Sequence, residues 1–196
     1  MTGRAAFALA LAAAVPAAAA PCTGTVYLTF DTGHMEPAAA IADLLDKHQV
    51  KATFFLANEK TKRGDTSLDP AWAPFWKRLA DSGHAFGSHT WRHWYVGGDT
   101  ADGKVRYAPF RQSGGEVLDA QAFCGEVRKP EEAFRAMTGR GFDGLWRAPG
   151  GKTSAKALEF AKACGFSHAG WSPAGFSGDE LPADKYPSDK LVARQM

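Results

Sequence analysis

Short apolar runs alternate with helical patterns from residue 25 to residue 171, and no other feature of the sequence constrains the fold as tightly. Residues 25–30 (TVYLTF) read as a buried strand that breaks into a loop at Asp31, Thr32 and Gly33. Pro37 opens a helix with Ile41, Leu44 and Leu45 at helical spacing and His48 near its end. Residues 52–56 (ATFFL) are a second strand. Trp72, Phe75, Trp76 and Leu79 recur on one face of a second helix, a stripe that belongs to a core, and Gly83 ends it. A third strand, 84–88 (HAFGS), runs straight into the cluster from His89 to His93. The glycine-rich stretch 97–115 reads as a long surface connection, and a helical pattern follows over 117–137, interrupted at Pro130. Residues 142–146 make a fourth strand, 154–163 a helix stopped by Gly165, and 166–171 a fifth strand. Ser188 caps one more helix, starting at Asp189.

This alternation argues for an α/β fold, a parallel sheet or barrel with crossover helices. In such folds the reactive groups gather beyond the carboxyl ends of the strands. Aromatic residues make up 12% of the chain and include six tryptophans, which excludes a disordered polymer. A net charge of +2 gives no electrostatic case for nucleic acid or anionic membrane as a partner. Residues 1–20 differ from the rest: Arg4, an apolar run over 5–15, Pro16 and small residues to Ala20 make the pattern of a secretory signal peptide. A membrane span needs about 20 apolar residues, and this run is too short, so no transmembrane span is expected once the leader is removed. One domain over 21–196 remains, exported to the periplasm, the cell envelope or the medium. In that oxidising setting Cys22, Cys124 and Cys164 allow one disulfide and leave one thiol over, with the connectivity open.

Three polar clusters follow strands directly: Asp31-Thr32-Gly33-His34, His89-Thr90-Trp91-Arg92-His93 and Arg147-Ala148-Pro149-Gly150. All three open on one face. Two histidines four apart can present their imidazoles to one metal if the segment makes a helical turn. Asp31 and Arg147 would form an ion pair in the same cleft. A carboxylate beside a metal-bound water is a suitable general base, because the metal brings the water pKa down to about 7. The combination suggests metal-assisted hydrolysis.

These clusters resemble the three leading motifs of the polysaccharide deacetylases of carbohydrate esterase family four. TFDTG at 29–33 is similar to Thr-Phe-Asp-Asp-Gly, SHTWRH at 88–93 to His-Ser/Thr-x-x-His, and RAPGG at 147–151 to Arg-x-x-x-Gly with its proline. The resemblance implies a distorted parallel (β/α) barrel and a hydrolase that removes acetyl groups from an N-acetylated or O-acetylated polysaccharide or oligosaccharide. Such an enzyme acts on carbon–nitrogen bonds other than peptide bonds, in carbohydrate metabolism. It further implies Asp31 as catalytic base, His89 and His93 as metal ligands, and Arg147 as the residue that holds the base. Pro149 and Trp171 would line the substrate groove. The cofactor implied is a divalent metal, zinc or cobalt, polarising the acyl carbonyl.

The chain departs from the family pattern in two places. Thr32 stands where the family has a ligating Asp, so weaker metal binding is expected, with the site completed by water, Thr32 or His34. No late Leu-x-His follows Trp171 to supply a general acid; His168 reads as a packed histidine, and Asp179 is the nearest carboxylate to orient Arg147. A carbohydrate-binding relative with weak or no turnover is the alternative reading. At 196 residues with a leader the chain is short for a barrel of about 200 residues or more, and the domain is expected to be incomplete at its C-terminus.

Overall fold

The computed structural model describes residues 24–171. The leader, Cys22, Asp179 and the helix expected from Asp189 lie outside the described residues. Five strands form a parallel sheet: β1 (Thr29–Asp31), β2 (Thr53–Leu56), β3 (Ala85–Ser88), β7 (Leu145–Trp146) and β8 (Ser167–His168). Their spatial order follows the chain order without reversal. Right-handed crossovers that always step in one direction place their helices on one face, which is the winding of a barrel rather than of a doubly wound sheet. Among the described residues the sheet is open, with β1 and β8 at its edges. The parallel α/β architecture is thus the expected one.

The helices are α1 (Ala38–His48), α2 (Ala73–Asp81), α3 (Ala120–Thr138) and α4 (Ala155–Ala163). Ala42 and Leu45 of α1, Trp76 and Leu79 of α2, Phe54, Leu56 and Phe86 of the sheet, and Phe134 of α3 close into one core. The aromatic stripe of the second helix is therefore core, with Trp72 in a single 3₁₀ turn just before it. Phe54 and Leu56 point to that core, while Phe55 faces the other side of the sheet, as the period of two in a strand requires. Gly87 makes this possible, because a Cβ there would stand 2.7 Å from the Phe55 ring.

Four readings of the sequence need correction. Residues 25–28 are not part of a buried strand: β1 begins at Thr29, and Val26 and Tyr27 are exposed beside this edge of the sheet. The fifth strand is likewise only Ser167–His168. The stretch 97–115 is not a surface connection. It carries most of a three-stranded antiparallel sheet, β4 (Tyr95–Asp99), β5 (Val105–Ala108) and β6 (Glu116–Leu118). Val105 and Tyr107 alternate inward and are fully buried in a second core with Phe123, Val127, Trp146 and Ala157. Finally, Pro130 does not interrupt α3. A proline in a helix interior removes an N–H and frees the carbonyl four residues back. That carbonyl is on Glu126, and it accepts the backbone N–H of Trp91 at 2.8 Å instead.

Cys124 on α3 is bonded to Cys164 at the end of α4, with Cα atoms 6.1 Å apart. No described helix is long and apolar enough to cross a membrane.

Candidate active site

The parallel strands end flush, with Asp31 opposite Phe55, Leu56 opposite Ser88, and Ser88 opposite Trp146. The ladder runs one residue further through Thr32 N–H to Phe55 O, His89 N–H to Leu56 O, Arg147 N–H to Ser88 O and Ala169 N–H to Trp146 O. These next residues therefore share one layer at the carboxyl end of the sheet, where reactive groups of parallel α/β folds collect.

Arg147 is the hub of that layer, with its side chain only 5% exposed. Its guanidinium lies 4.1 Å above the Phe55 ring and donates to Asp31 Oδ1 and Thr29 Oγ1, both at 2.9 Å, and to the carbonyls of Ala169 and Gly170. A planar fork filled on every side is fixed in orientation, and it fixes Asp31 in turn. The second carboxylate oxygen of Asp31 faces His89 Nε2 at 3.6 Å. Asp31 stays partly open to solvent, at 31% side-chain exposure.

The segment from His89 to His93 is not a helical turn. Thr90 and His93 have φ of 63° and 54°, and the fold rather than helical periodicity brings the two imidazoles together, Nε2 to Nε2 at 3.1 Å. Three contacts pin the loop. Trp91 N–H reaches the carbonyl freed by Pro130. Arg92 donates to the buried Glu126 carboxylate at 2.9 Å and in bidentate fashion to Glu116. The hydroxyl of Tyr107 lies 2.8 Å from Thr90 Oγ1 and 3.2 Å from Glu126 Oε2.

Each histidine is also held from behind. His89 Nδ1 meets the Arg147 carbonyl at 2.9 Å, and since a carbonyl only accepts, Nδ1 carries the proton and Nε2 a bare lone pair. His93 Nδ1 faces Glu59 Oε1 at 3.1 Å, which selects the same tautomer. Burial pushes the His89 pKa down, with Asp31 opposing it, so the ring is kept neutral. Two lone pairs aimed at each other call for a proton or a metal cation between them. Two nitrogens bound about 2.0–2.1 Å from one tetrahedral zinc lie about 3.3 Å apart, close to the separation seen. Among the described residues no three His, Cys, Asp or Glu side chains form a ready metal cage, so the pair fits as two ligands of an ion otherwise held by water or substrate.

The remaining expected residues fall as follows. Thr32 lies in the layer, but its hydroxyl accepts from Ala57 N–H at 2.8 Å and sits 3.2 Å from Glu59 Oε2, one contact removed from the histidines. His34 is exposed and turned back on its own loop, accepting from Glu36 N–H. Pro149 is buried beside Ala148 in the turn after β7. Trp171 is half exposed, 5.4 Å from the Arg147 guanidinium and against Gly151. His168 packs edge-on against Trp146 and accepts from Ala148 N–H. Two contributors were not legible beforehand. Glu59, after β2, is one of several charged residues in what reads as a loop. Tyr95, just before the stretch read as a connection, stacks on Phe110 within it at 4.8 Å and lies across Gly150.

A family model described as polysaccharide deacetylase matches residues 18–169. A peptidoglycan-N-acetylglucosamine deacetylase of Bacillus cereus is 41% identical over 69 residues, which is 35% of this chain and 22% of that protein. Among solved structures, a family 4 acetyl xylan esterase from Clostridium thermocellum in complex with a cobalt ion superposes with a TM-score of 0.60 at 20% identity, covering 87% of this chain and 66% of that one. A CE4 family pseudoenzyme from Bacillus anthracis superposes with a TM-score of 0.59 at 18% identity, covering 86% and 48%. The matched part thus spans about a fifth of the length of the Bacillus cereus relative.

Proposed function

The chain belongs to the polysaccharide deacetylase family, and from that premise we propose that it is an exported hydrolase removing acetyl groups from an acetylated polysaccharide or peptidoglycan strand. The single observation that carries the reading is the Arg147–Asp31–His89–His93 chain of contacts at the carboxyl end of the sheet. Asp31 is the general base. Arg147 takes one of its oxygens and leaves the other turned toward the histidine pair, where a water can be deprotonated. His89 and His93 would hold a divalent metal, zinc in our reading, through their facing Nε2 atoms. When bound, the ion lowers the pKa of the attacking water and polarises the acyl carbonyl. Trp171, half exposed beside Arg147, and Pro149, in the turn after β7, would border the acetyl group. The Cys124–Cys164 bond fits an oxidising compartment and so supports export.

The fold itself does not decide turnover, since the solved neighbours include both an esterase and a pseudoenzyme. The alternative, a binding module without turnover, is favoured by the neutral hydroxyl of Thr32 and by the lack of a Leu-x-His after Trp171 in this sequence. Acetate release from acetylated chitooligosaccharides and peptidoglycan fragments separates the two. Asp31→Asn is expected to lower the rate by about 10²-fold or more, as loss of a general base does. Equal rates for the two proteins would overturn the enzymatic reading.

A further inference from the structure

Glu59 is a carboxylate in an unusual setting. Its side chain is 20% exposed, and among the described residues the positively chargeable group within ion-pair distance is His93, with no lysine or arginine that close. One of its oxygens holds Nδ1 of His93 at 3.1 Å and the other meets the Thr32 hydroxyl at 3.2 Å. The backbone beneath it is rigid. Glu59 N–H donates to Ser67 Oγ, Ser67 N–H donates back to the Glu59 carbonyl, and buried Ser67 is itself tied to Ala57 O and to the Trp76 indole. A negative charge held this firmly, with no lysine or arginine in ion-pair contact, favours a cation close by. Behind a histidine whose Nε2 carries a bare lone pair, that cation is an ion bound on the far side of the ring.

We propose that Glu59 is the outer-shell carboxylate of a two-histidine metal site: it sets the tautomer and orientation of His93 and supplies the negative charge that Thr32, a neutral hydroxyl, does not. The inference rests on the reading of His89 and His93 as metal ligands. Glu59 is a positioning residue, acting through His93 rather than on substrate. Carboxylates in this position raise ligand basicity, and removing one typically costs about 10–100-fold in metal affinity.

The test is zinc affinity of the full-length protein, measured by competition with a chromophoric chelator, together with the visible spectrum of the cobalt(II) form. Glu59→Gln keeps the shape and one acceptor oxygen but drops the charge; Glu59→Ala drops both. Zinc affinity is expected to fall about 10-fold in the first and towards 100-fold in the second, with a changed cobalt spectrum. The metal-free proteins should unfold at temperatures close to that of wild type, because the Ser67 contacts use only the Glu59 backbone. Wild-type affinity in both variants, with His89→Ala abolishing binding, overturns the role of Glu59 alone. Binding that His89→Ala leaves intact overturns the metal reading itself, and the Glu59 role with it.

Discussion

Thr90 sits between the two histidines with a φ of 63°, a region that β-branched residues almost never occupy. Such strain costs about 1–3 kcal/mol and persists only where the surroundings over-determine it. Here they do: Thr90 is fully buried, its N–H donates to Ser88 Oγ, and its hydroxyl meets that of Tyr107. Burial, with Glu126 beside it, pushes the Tyr107 phenol well above its usual range, so it remains a neutral donor at any working pH. Tyr107→Phe keeps the packed ring and deletes only the hydroxyl, leaving Thr90 and Glu126 each short of a partner. Unfolding in urea is expected to show a loss of about 1–3 kcal/mol. Acetate release should fall as well, since the loop that aims His93 at His89 loosens. A variant as stable and as active as wild type would mean that the strained residue needs no anchor on β5.

At the scale of elements, the central parallel strands were legible because each is a short apolar run followed by a polar cluster. The antiparallel sheet was not, because five glycines at 97, 98, 103, 114 and 115 outweigh an inward alternation confined to Val105 and Tyr107. The continuity of α3 through Pro130 was also hidden, since the acceptor that relieves the Glu126 carbonyl is the N–H of Trp91, distant in sequence. In the site, Asp31, His89, His93 and Arg147 could be read from their places after strands, whereas Glu59 acquires meaning only when β2 is laid beside β1 and β3. The disulfide could be narrowed to three cysteines but not paired, because nothing in the spacing says that α3 and α4 lie side by side. Cys124 and Cys164 are separated by 40 residues. Chain-entropy reasoning for a loop of that length gives about 4 kcal/mol of stabilisation, within a usual range of about 2–5 kcal/mol. Replacing both cysteines by serine should lower the free energy of unfolding measured in denaturant by that amount, whereas an unchanged value would mean that the α3–α4 packing suffices alone.

Across the whole molecule the ends of the parallel sheet divide the labour, with the carboxyl ends carrying the polar layer and the opposite edge carrying packing. His84 lies at that opposite edge, just before β3, buried against Phe54, with Lys51 and Asp46 as its charged neighbours. Its Nδ1 accepts the N–H of Ala52, so the ring must be neutral for the bond to exist. His168, in β8, accepts from Ala148 N–H in the same way, with the Arg147 charge nearby. Burial lowers the pKa of both below the ordinary value of 6.5. The unfolded chain therefore takes up protons first as the pH falls, and folding loses stability wherever the unfolded state binds more of them. The contribution of these rings is fully present above pH 6.5 and is lost progressively on acidification toward their folded-state pKa values. The free energy of unfolding of the metal-free protein should then be level above about pH 7 and decline as the pH falls below about 6.5. His84→Asn keeps an acceptor near the position of Nδ1 but cannot be protonated in this range, so it should flatten part of that decline while leaving stability at pH 8 little changed. A slope identical to wild type in this variant would assign the acid sensitivity to the carboxyl end of the sheet instead.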